Sequence, residues 1–257
     1  MLIKDAVFLT VDTETTGLDP ATCGIVELAG VWSKTTGLAL SWSTLCDPGM
    51  PIPPEASSIH HLRTEDVAGR ISPREALAAM SGLTPFGAPT GCLVAHNMEF
   101  DWGMIKLQLD EPEAVYPNRL CTMRLAKKLW PLLPKLSNQF LRYHLKLDIP
   151  AGGNVHRASD DAMVTNLLLR AEIAELLSRS KDPDTATIEG LVAWVEAPMV
   201  LQTPIPFGKH KGLDWGSAPK DYFQWALKNM EDLDRDIRHT MEHHLGLRPV
   251  AIPVAVG

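Results

Sequence analysis

The sequence has few of the features that mark membrane, disulfide-rich or disordered proteins. Its 257 residues include four cysteines, which lie far apart without a CxxC pair, so we expect neither a zinc site nor a disulfide framework. The 18 glycines and 20 prolines are too few and too scattered for a disordered chain. No apolar run approaches the ~18 residues of a membrane helix, and the N-terminus does not resemble a signal peptide. We therefore expect a globular, cytoplasmic protein of one or two domains.

The chain also lacks a surplus of basic residues. Its 24 Lys and Arg are outnumbered by 31 Asp and Glu, and the net charge is −7. Proteins that coat nucleic acid usually have the opposite balance, so that class is disfavoured. Action on a nucleic acid through a local site stays open, provided that metal ions offset the acids there.

Short β-rich runs alternate with segments of helical periodicity, which predicts an α/β layer fold. A turn at residues 35–37 predicts a hairpin between the second and third runs. Strands are predicted over residues 6–12, 24–33, 38–47 and 91–97, and helices over 72–83 and 98–109, two within 119–146, and one that Ser159 caps and that ends near Ser180.

The composition changes after residue 180, which predicts a second, smaller unit. We expect a main domain over 1–180, a linker with a short helix over 181–198, a C-terminal module over 199–246 and a flexible tail over 247–257. The module should begin with a strand over residues 200–207, and Trp194, Trp215 and Trp225 should lie in its core.

Two acids stand at the end of the first predicted strand. Asp12 and Glu14 are two residues apart, so their side chains point to the same face of the strand. Burying two unpaired carboxylates costs several kcal/mol or shifts their pKa, and a divalent cation would relieve this repulsion. A pair of exposed acids at a strand end is the alternative.

Two further acids lie where predicted helices begin. Asp101 falls about one turn into the helix after a buried strand, where it could also simply complement the helix dipole. His156 and Asp161 lie five residues apart across a loop-to-helix junction, which brings both to one helix mouth. The alternative is a Ser159 cap with ordinary acids in the first turn. Asp160 lies about 100° around the helix from Asp161, so the two acids cannot face one site.

Together these segments carry acids in the order DxE, D and HxxxxD. Four carboxylates and one histidine are what two hard cations and a general base require. The arrangement resembles the DEDDh exonucleases, a superfamily that includes proofreading exonucleases, over about residues 6–178. The resemblance implies 3′→5′ exonuclease activity and an α/β, ribonuclease-H-like fold, with a mixed sheet flanked by helices.

The resemblance also implies a role for each matching residue. Asp12 should bridge two Mg²⁺ or Mn²⁺ ions, Glu14 and Asp161 should complete one metal site, and Asp101 should hold the second ion. His156 matches the general base, which takes a proton from the attacking water near pH 7. The implied product is a nucleoside 5′-monophosphate. Four further residues match family segments that contact the terminal nucleotide: Thr15, Leu18, Glu55 and His60.

Two more segments resemble a bacterial subfamily of these enzymes, the exodeoxyribonuclease X group. They are residues 120–131 and the turn FGKHKG at 207–212 with the later YFQW. Residues 119–146 contain seven basic residues and no acid, so this segment could bind phosphates or could be a solvated helical face. The possible nucleic-acid contacts are Arg124, Lys127, Lys128, Lys209 and Lys211.

Residues 202–207, QTPIPF, fit a loose pattern that is similar to sliding-clamp peptides, but we favour the module's first strand there. The sequence as a whole favours a two-metal 3′→5′ exodeoxyribonuclease that acts on DNA 3′ ends in repair or recombination. Three alternatives stay open. An exoribonuclease similar to ribonuclease T or oligoribonuclease is one, because no motif reports contact with a 2′-OH. The others are a polymerase proofreading subunit and a catalytically inactive nucleic-acid-binding module.

Overall fold

One mixed sheet of five strands organises the larger part of the protein. The computed structural model describes residues 1–37, 39–148, 157–179 and 186–247. The strand order is β3-β2-β1-β4-β5; β2 pairs antiparallel with both β1 and β3, whereas β4 runs parallel to β1 and to β5. This confirms the predicted α/β fold with helices around a mixed sheet. The strands are β1 (Phe8–Thr15), β2 (Ile25–Ser33), β3 (Ala39–Leu45), β4 (Cys92–Ala95) and β5 (Arg119–Cys121).

Both faces of the sheet centre are covered. Alternate side chains of β1 enter different apolar clusters, since successive residues of a strand point to opposite faces. Leu9 and Val11 pack in one cluster with Leu77, whereas Phe8 packs in another with Leu169. All nine residues of β2 are buried, which is typical of a strand covered by helices on both sides.

The helices confirm most of the predicted positions. Ser72 caps α3 with a reciprocal bond to Glu75, as its Ser-Pro-x-Glu sequence predicts. The expected Ser159 cap is wrong, because helix α8 begins at Ala158 and Ser159 therefore lies within its first turn. The helices are α1 (Pro54–His60), α2 (Thr64–Val67), α3 (Pro73–Ser81), α4 (Met98–Lys106), α5 (Pro112–Val115), α6 (Thr122–Leu129), α7 (Asn138–His144), α8 (Ala158–Arg179), α9 (Ile188–Glu196), α10 (Lys220–Asn229) and α11 (Arg235–His244).

The helix expected within a linker packs into the main core. Ile188, Leu191 and Val195 of α9 are buried in the same cluster as Phe8, and Trp194 packs against that cluster instead of the C-terminal one. Residues 181–185, the first part of the predicted linker, lie outside the described residues. The core of the larger unit therefore includes chain on both sides of that segment.

A separate apolar cluster holds the C-terminal module together. Its members lie between Leu201 and Leu245 and come mainly from α10, α11 and the short turn at Trp215. The strand expected over residues 200–207 does not form. Ile205 alone pairs with the chain beyond the turn, donating to the Leu213 carbonyl and accepting from the Gly212 N–H. Pro204 and Pro206 flank it without N–H donors, so no ladder can continue there.

The predicted tail falls largely on residues 248–257, which lie outside the described residues. Within the described part of the chain, no helix is both long enough and apolar enough to cross a membrane.

Candidate active site

Three carboxylates meet at the carboxyl end of β1. Asp12 and Glu14 project from the same face of this strand, and Asp161 is added from the first turns of α8. One carboxylate oxygen from each of the three residues lies within 4.8 Å of the others, and all three side chains are partly buried. This spacing would let the three acids share one cation.

A fourth acid approaches from the neighbouring parallel strand. Asp101 lies in the first turn of α4, directly after β4, and is 5% exposed. Its carboxylate accepts a hydrogen bond of 2.9 Å from the Thr13 hydroxyl on β1. Among the neighbouring charges, that of Asp101 has the largest effect in raising the pKa of Asp12, after burial itself. The structure thus places all four predicted acids at one end of the sheet, beside the carboxyl ends of β1 and β4.

Without a bound cation, negative charge on all four acids would be electrostatically unfavourable. Burial raises the pKa of Asp12 well above its usual range, and the charges of Asp101, Asp161 and Glu14 raise it further. Burial and then the Asp161 charge raise the pKa of Glu14 to about 8. Burial raises the pKa of Asp101 to about 7, although the Thr13 hydrogen bond opposes this shift. A hard divalent cation bound by carboxylate oxygens would offset this repulsion, so the residues fit such an ion.

His156 lies outside the described residues, but the residues that follow it are firmly held. Arg157 makes two hydrogen bonds, of 3.0 and 2.9 Å, to the carboxylate of Glu27 on β2. Glu27 also accepts the Ala158 N–H at 3.2 Å, and it is directly opposite Glu14 in the strand register. This anchors the start of α8 to the sheet. Glu27 was not among the predicted site residues, although a lone acid in the apolar run IVELAGVWS was a signal that could have identified it.

A second support reaches Asp161 from α7. Gln139 donates a hydrogen bond of 3.0 Å to the Asp161 carboxylate, and Arg142 donates at 3.2 Å to the side-chain oxygen of Gln139. Asn138 donates to the Asp161 carbonyl oxygen at 3.2 Å and to the Thr165 hydroxyl at 3.0 Å. No sequence signal joined α7 to the acids, because amide side chains are common on helix surfaces.

The residues predicted to contact a nucleotide differ in exposure. Leu18 is 83% exposed and Glu55 is exposed at the start of α1, so both are accessible. Thr15 is mostly buried, and its hydroxyl donates to the Gly17 carbonyl at 2.7 Å. His60 is 1% exposed, and its Nδ1 accepts the Leu62 N–H at 3.0 Å. The structure thus gives His60 a bond within the protein, and its contact with a nucleotide stays a prediction.

The three basic residues of α6 that were predicted to contact nucleic acid are engaged within the protein. Lys127 lies 2.6 Å and Arg124 3.5 Å from the carboxylate of Asp236, a fully buried residue of the C-terminal module. These two cations therefore hold the module against α6. Lys128 lies over the Trp194 ring, and burial, assisted by the Arg124 charge, lowers its pKa to about 8. Lys209 and the neighbouring Lys211 are exposed in the module.

Comparison with known proteins places this arrangement among enzymes. A family model described as "Exonuclease" matches residues 9–169. Exodeoxyribonuclease 10 of Escherichia coli is 30% identical over 240 residues, which cover 91% of this chain and 97% of that protein. The DNA polymerase III subunit epsilon of Treponema pallidum is 29% identical over 204 residues, which cover 76% of this chain and 91% of that protein.

Solved structures agree with the sequence relatives. "Exonuclease X in complex with 5′ overhanging duplex DNA" superposes with a TM-score of 0.55 at 30% identity and covers 73% of this chain and 99% of that chain. Exonuclease I of E. coli in complex with a dA16 oligonucleotide superposes with a TM-score of 0.52 at 19% identity, covering 68% of this chain and 41% of that chain. The expected ribonuclease-H-like fold is thereby confirmed, as is the resemblance to exodeoxyribonuclease X.

Proposed function

The chain belongs to the exonuclease family, and on this premise we propose that it is a two-metal-ion 3′→5′ exodeoxyribonuclease, which releases nucleoside 5′-monophosphates from DNA 3′ ends. The observation that carries the proposal is the convergence of four acids at one end of the sheet: Asp12, Glu14, Asp101 and Asp161. The names of the relatives support DNA as the substrate. Two bound divalent cations would offset the four negative charges of these acids, so a chain of net charge −7 could still act on a polyanion.

The four carboxylates divide naturally between two ions. We place Asp12 at both ions, because one of its oxygens lies within 4.8 Å of oxygens of Glu14 and Asp161, and the charge of Asp101 also acts on it. We assign Asp12, Glu14 and Asp161 to one Mg²⁺ or Mn²⁺ ion, and Asp12 with Asp101 to a second. When bound, the two ions would stabilise charge on the attacking and leaving oxygens of the terminal phosphodiester.

The protein's own side chains would then contact the terminal nucleotide and accept the proton of the attacking water. His156 is the proposed general base, and the Glu27–Arg157 pair holds the helix start that follows it. A neutral imidazole there accepts the proton of the attacking water. Leu18 and Glu55 are accessible for contact with the terminal nucleotide, whereas Thr15 and His60 are buried, and contact through these two residues is part of the proposal.

Digestion of end-labelled DNA and RNA oligonucleotides of equal sequence tests the proposal. The protein should shorten 3′ ends of DNA one nucleotide at a time in Mg²⁺ or Mn²⁺ and should do nothing in EDTA. Faster loss of RNA than of DNA would favour the exoribonuclease alternative. Binding of DNA without hydrolysis in either metal would refute the proposal and favour an inactive binding module.

A polymerase proofreading subunit is the second candidate, because the match to the epsilon subunit covers most of both chains. Stable copurification with a polymerase would favour this function. The match to exodeoxyribonuclease 10 extends over 91% of the chain and supports an enzyme that acts without a polymerase. A cytoplasmic role in DNA repair or recombination and the absence of a sliding-clamp contact remain part of the proposal.

A further inference from the structure

The C-terminal module contains a cavity that is separate from the acid cluster. It has a volume of about 510 Å³ and lies between the FGKHKG turn and the first turns of α10. A volume of this order suits a small ligand or a single nucleotide unit. Its lining residues are Gly208, Lys209, Asp221, Tyr222 and Trp225.

One wall of the cavity is aromatic and open to solvent. Trp225 is 54% exposed, which corrects the expectation that it belongs to the module core. Its ring is 6.1 Å from that of Tyr222, and the two planes differ by 20°. Residues three apart in a helix are neighbours on its surface, so the rings form one nearly parallel pair. A rigid aromatic platform of this kind is suited to stacking against a flat ligand.

The opposite wall is basic and approaches the aromatic pair closely. Lys209 lines this wall and is exposed, and its ammonium lies 5.5 Å from the centre of the Tyr222 ring. Lys211 is exposed on the same turn, outside the lining of the cavity. Gly208 adopts a positive φ of 68°, and a Cβ at this position would overlap the Tyr222 hydroxyl. Glycine is therefore required for the turn to bring Lys209 over the ring. Asp221 adds one exposed carboxylate at the cavity edge.

We propose that this cavity binds one base of a single-stranded segment of the polynucleotide substrate, a second contact that rests on the proposed function. The base stacks on Trp225, Lys209 and Lys211 bind the adjacent phosphates, and the Asp221 carboxylate accepts a hydrogen bond from a base amino group. Aromatic stacking combined with cations is how proteins bind single strands with little sequence preference. In a duplex, neighbouring bases already cover the base faces, so the cavity selects unpaired nucleotides.

Equilibrium binding to the full chain in EDTA tests the cavity without hydrolysis. Fluorescence anisotropy of a labelled single-stranded DNA of about 20 nucleotides should show that Trp225→Ala weakens affinity about tenfold, because stacking on one aromatic side chain is worth that order. Trp225→Phe should restore most of the affinity. Lys209→Ala should lower the salt dependence of binding by about one counterion. Lys228→Ala, at an exposed lysine of α10 outside the cavity, should change neither the affinity nor the salt dependence.

Photocrosslinking identifies the occupant directly. An oligonucleotide that carries 5-iododeoxyuridine should crosslink to the peptide that contains Tyr222 and Trp225. Crosslinks confined to other peptides, together with unchanged affinity in Trp225→Ala, would overturn the proposal and leave a protein partner as the occupant to test. Hydrolysis in Mg²⁺ is measured in parallel. If the protein hydrolyses DNA but the cavity does not crosslink and Trp225→Ala does not change the affinity, only this inference is refuted. If the cavity crosslinks but no hydrolysis occurs, only the exonuclease function is refuted.

Discussion

Lys127 of α6 lies 2.6 Å from the fully buried carboxylate of Asp236, a residue 109 positions away in the C-terminal module. The same carboxylate accepts the Met199 N–H at 3.2 Å. Asp236 thus joins the first residues of the module to the larger unit. Burial alone would raise its pKa, but the Lys127 bond and the Arg124 charge hold the pKa below its ordinary value.

Asp236→Ala is expected to lower the free energy of unfolding by about 3 kcal/mol, because it leaves Lys127 and Arg124 without their partner. Urea unfolding measures the change, and Asp232→Ala, an exposed acid of the same module, serves as the matched control. Lys127→Ala should also destabilise the protein but should leave the salt dependence of DNA binding unchanged. A reduced salt dependence in Lys127→Ala would return this lysine to the phosphate-binding surface.

Asp12→Ala and Asp161→Ala are expected to abolish metal-dependent nucleotide release, because each removes a ligand from the proposed cation site. Asp160→Asn is the control, since Asp160 lies about 100° around α8 from Asp161 and should retain activity within a few fold. Release of labelled mononucleotide measures the activity, and circular dichroism checks the fold. Full activity in either alanine variant would refute the metal assignment.

His156→Ala is expected to slow turnover by about 10² to 10⁴-fold, which is the usual contribution of a general base. The loss should be smallest at high pH, where hydroxide itself is more abundant. The measurement is the rate of nucleotide release over a range of pH under saturating Mg²⁺. An unchanged rate at neutral pH would remove His156 from the proton transfer.

Gln139→Ala is expected to raise the Mg²⁺ concentration for half-maximal activity about tenfold or more, because Gln139 orients the Asp161 carboxylate through a 3.0 Å bond. Gln202→Ala, an exposed glutamine in the module, should leave the Mg²⁺ requirement unaltered. Titration of activity with Mg²⁺ separates this role from a general loss of fold, because a purely structural defect would lower activity at every metal concentration.

The stability of the metal-free protein is expected to fall as the pH rises. The folded state raises the pKa of Glu14 to about 8 and of Asp101 to about 7, so it binds protons more tightly there than the unfolded chain does. The stability linked to these protons is complete below about pH 4 and is lost as the pH rises through about 7 to 8.

Thermal melts in EDTA and in Mg²⁺ at about pH 5.5 and about pH 8.5 measure this effect. Mg²⁺ should raise the Tm more at the higher pH, where it neutralises ionised carboxylates. Asp12→Asn removes one charge from the cluster and should flatten the pH dependence in EDTA. Equal Tm increments at both pH values would contradict the coupling between protons and metal.

Local patterns in the sequence were sufficient for much of the architecture and for the acids. The two-residue spacing of Asp12 and Glu14 places both side chains on the same face of any strand. Ser72 and Glu75 mark a helix start, because the side chain of each accepts a hydrogen bond from the backbone N–H of the other. The order of the acids along the chain added the family resemblance. These signals depend on neighbours in the chain and therefore survive without knowledge of the packing. Strand β5, with three residues, was too short to produce such a pattern.

The partners of charged and aromatic side chains came from packing instead. Arg157 pairs with Glu27 across 130 residues, and Lys127 was predicted as a phosphate contact but pairs with Asp236. Trp225 was expected in a core and is half exposed beside a cavity. Periodicity tells which face of an element is apolar, but the identity of the opposing face depends on how helices meet in three dimensions. The role of a buried charge or of an exposed ring therefore cannot be predicted until the opposing surface is known.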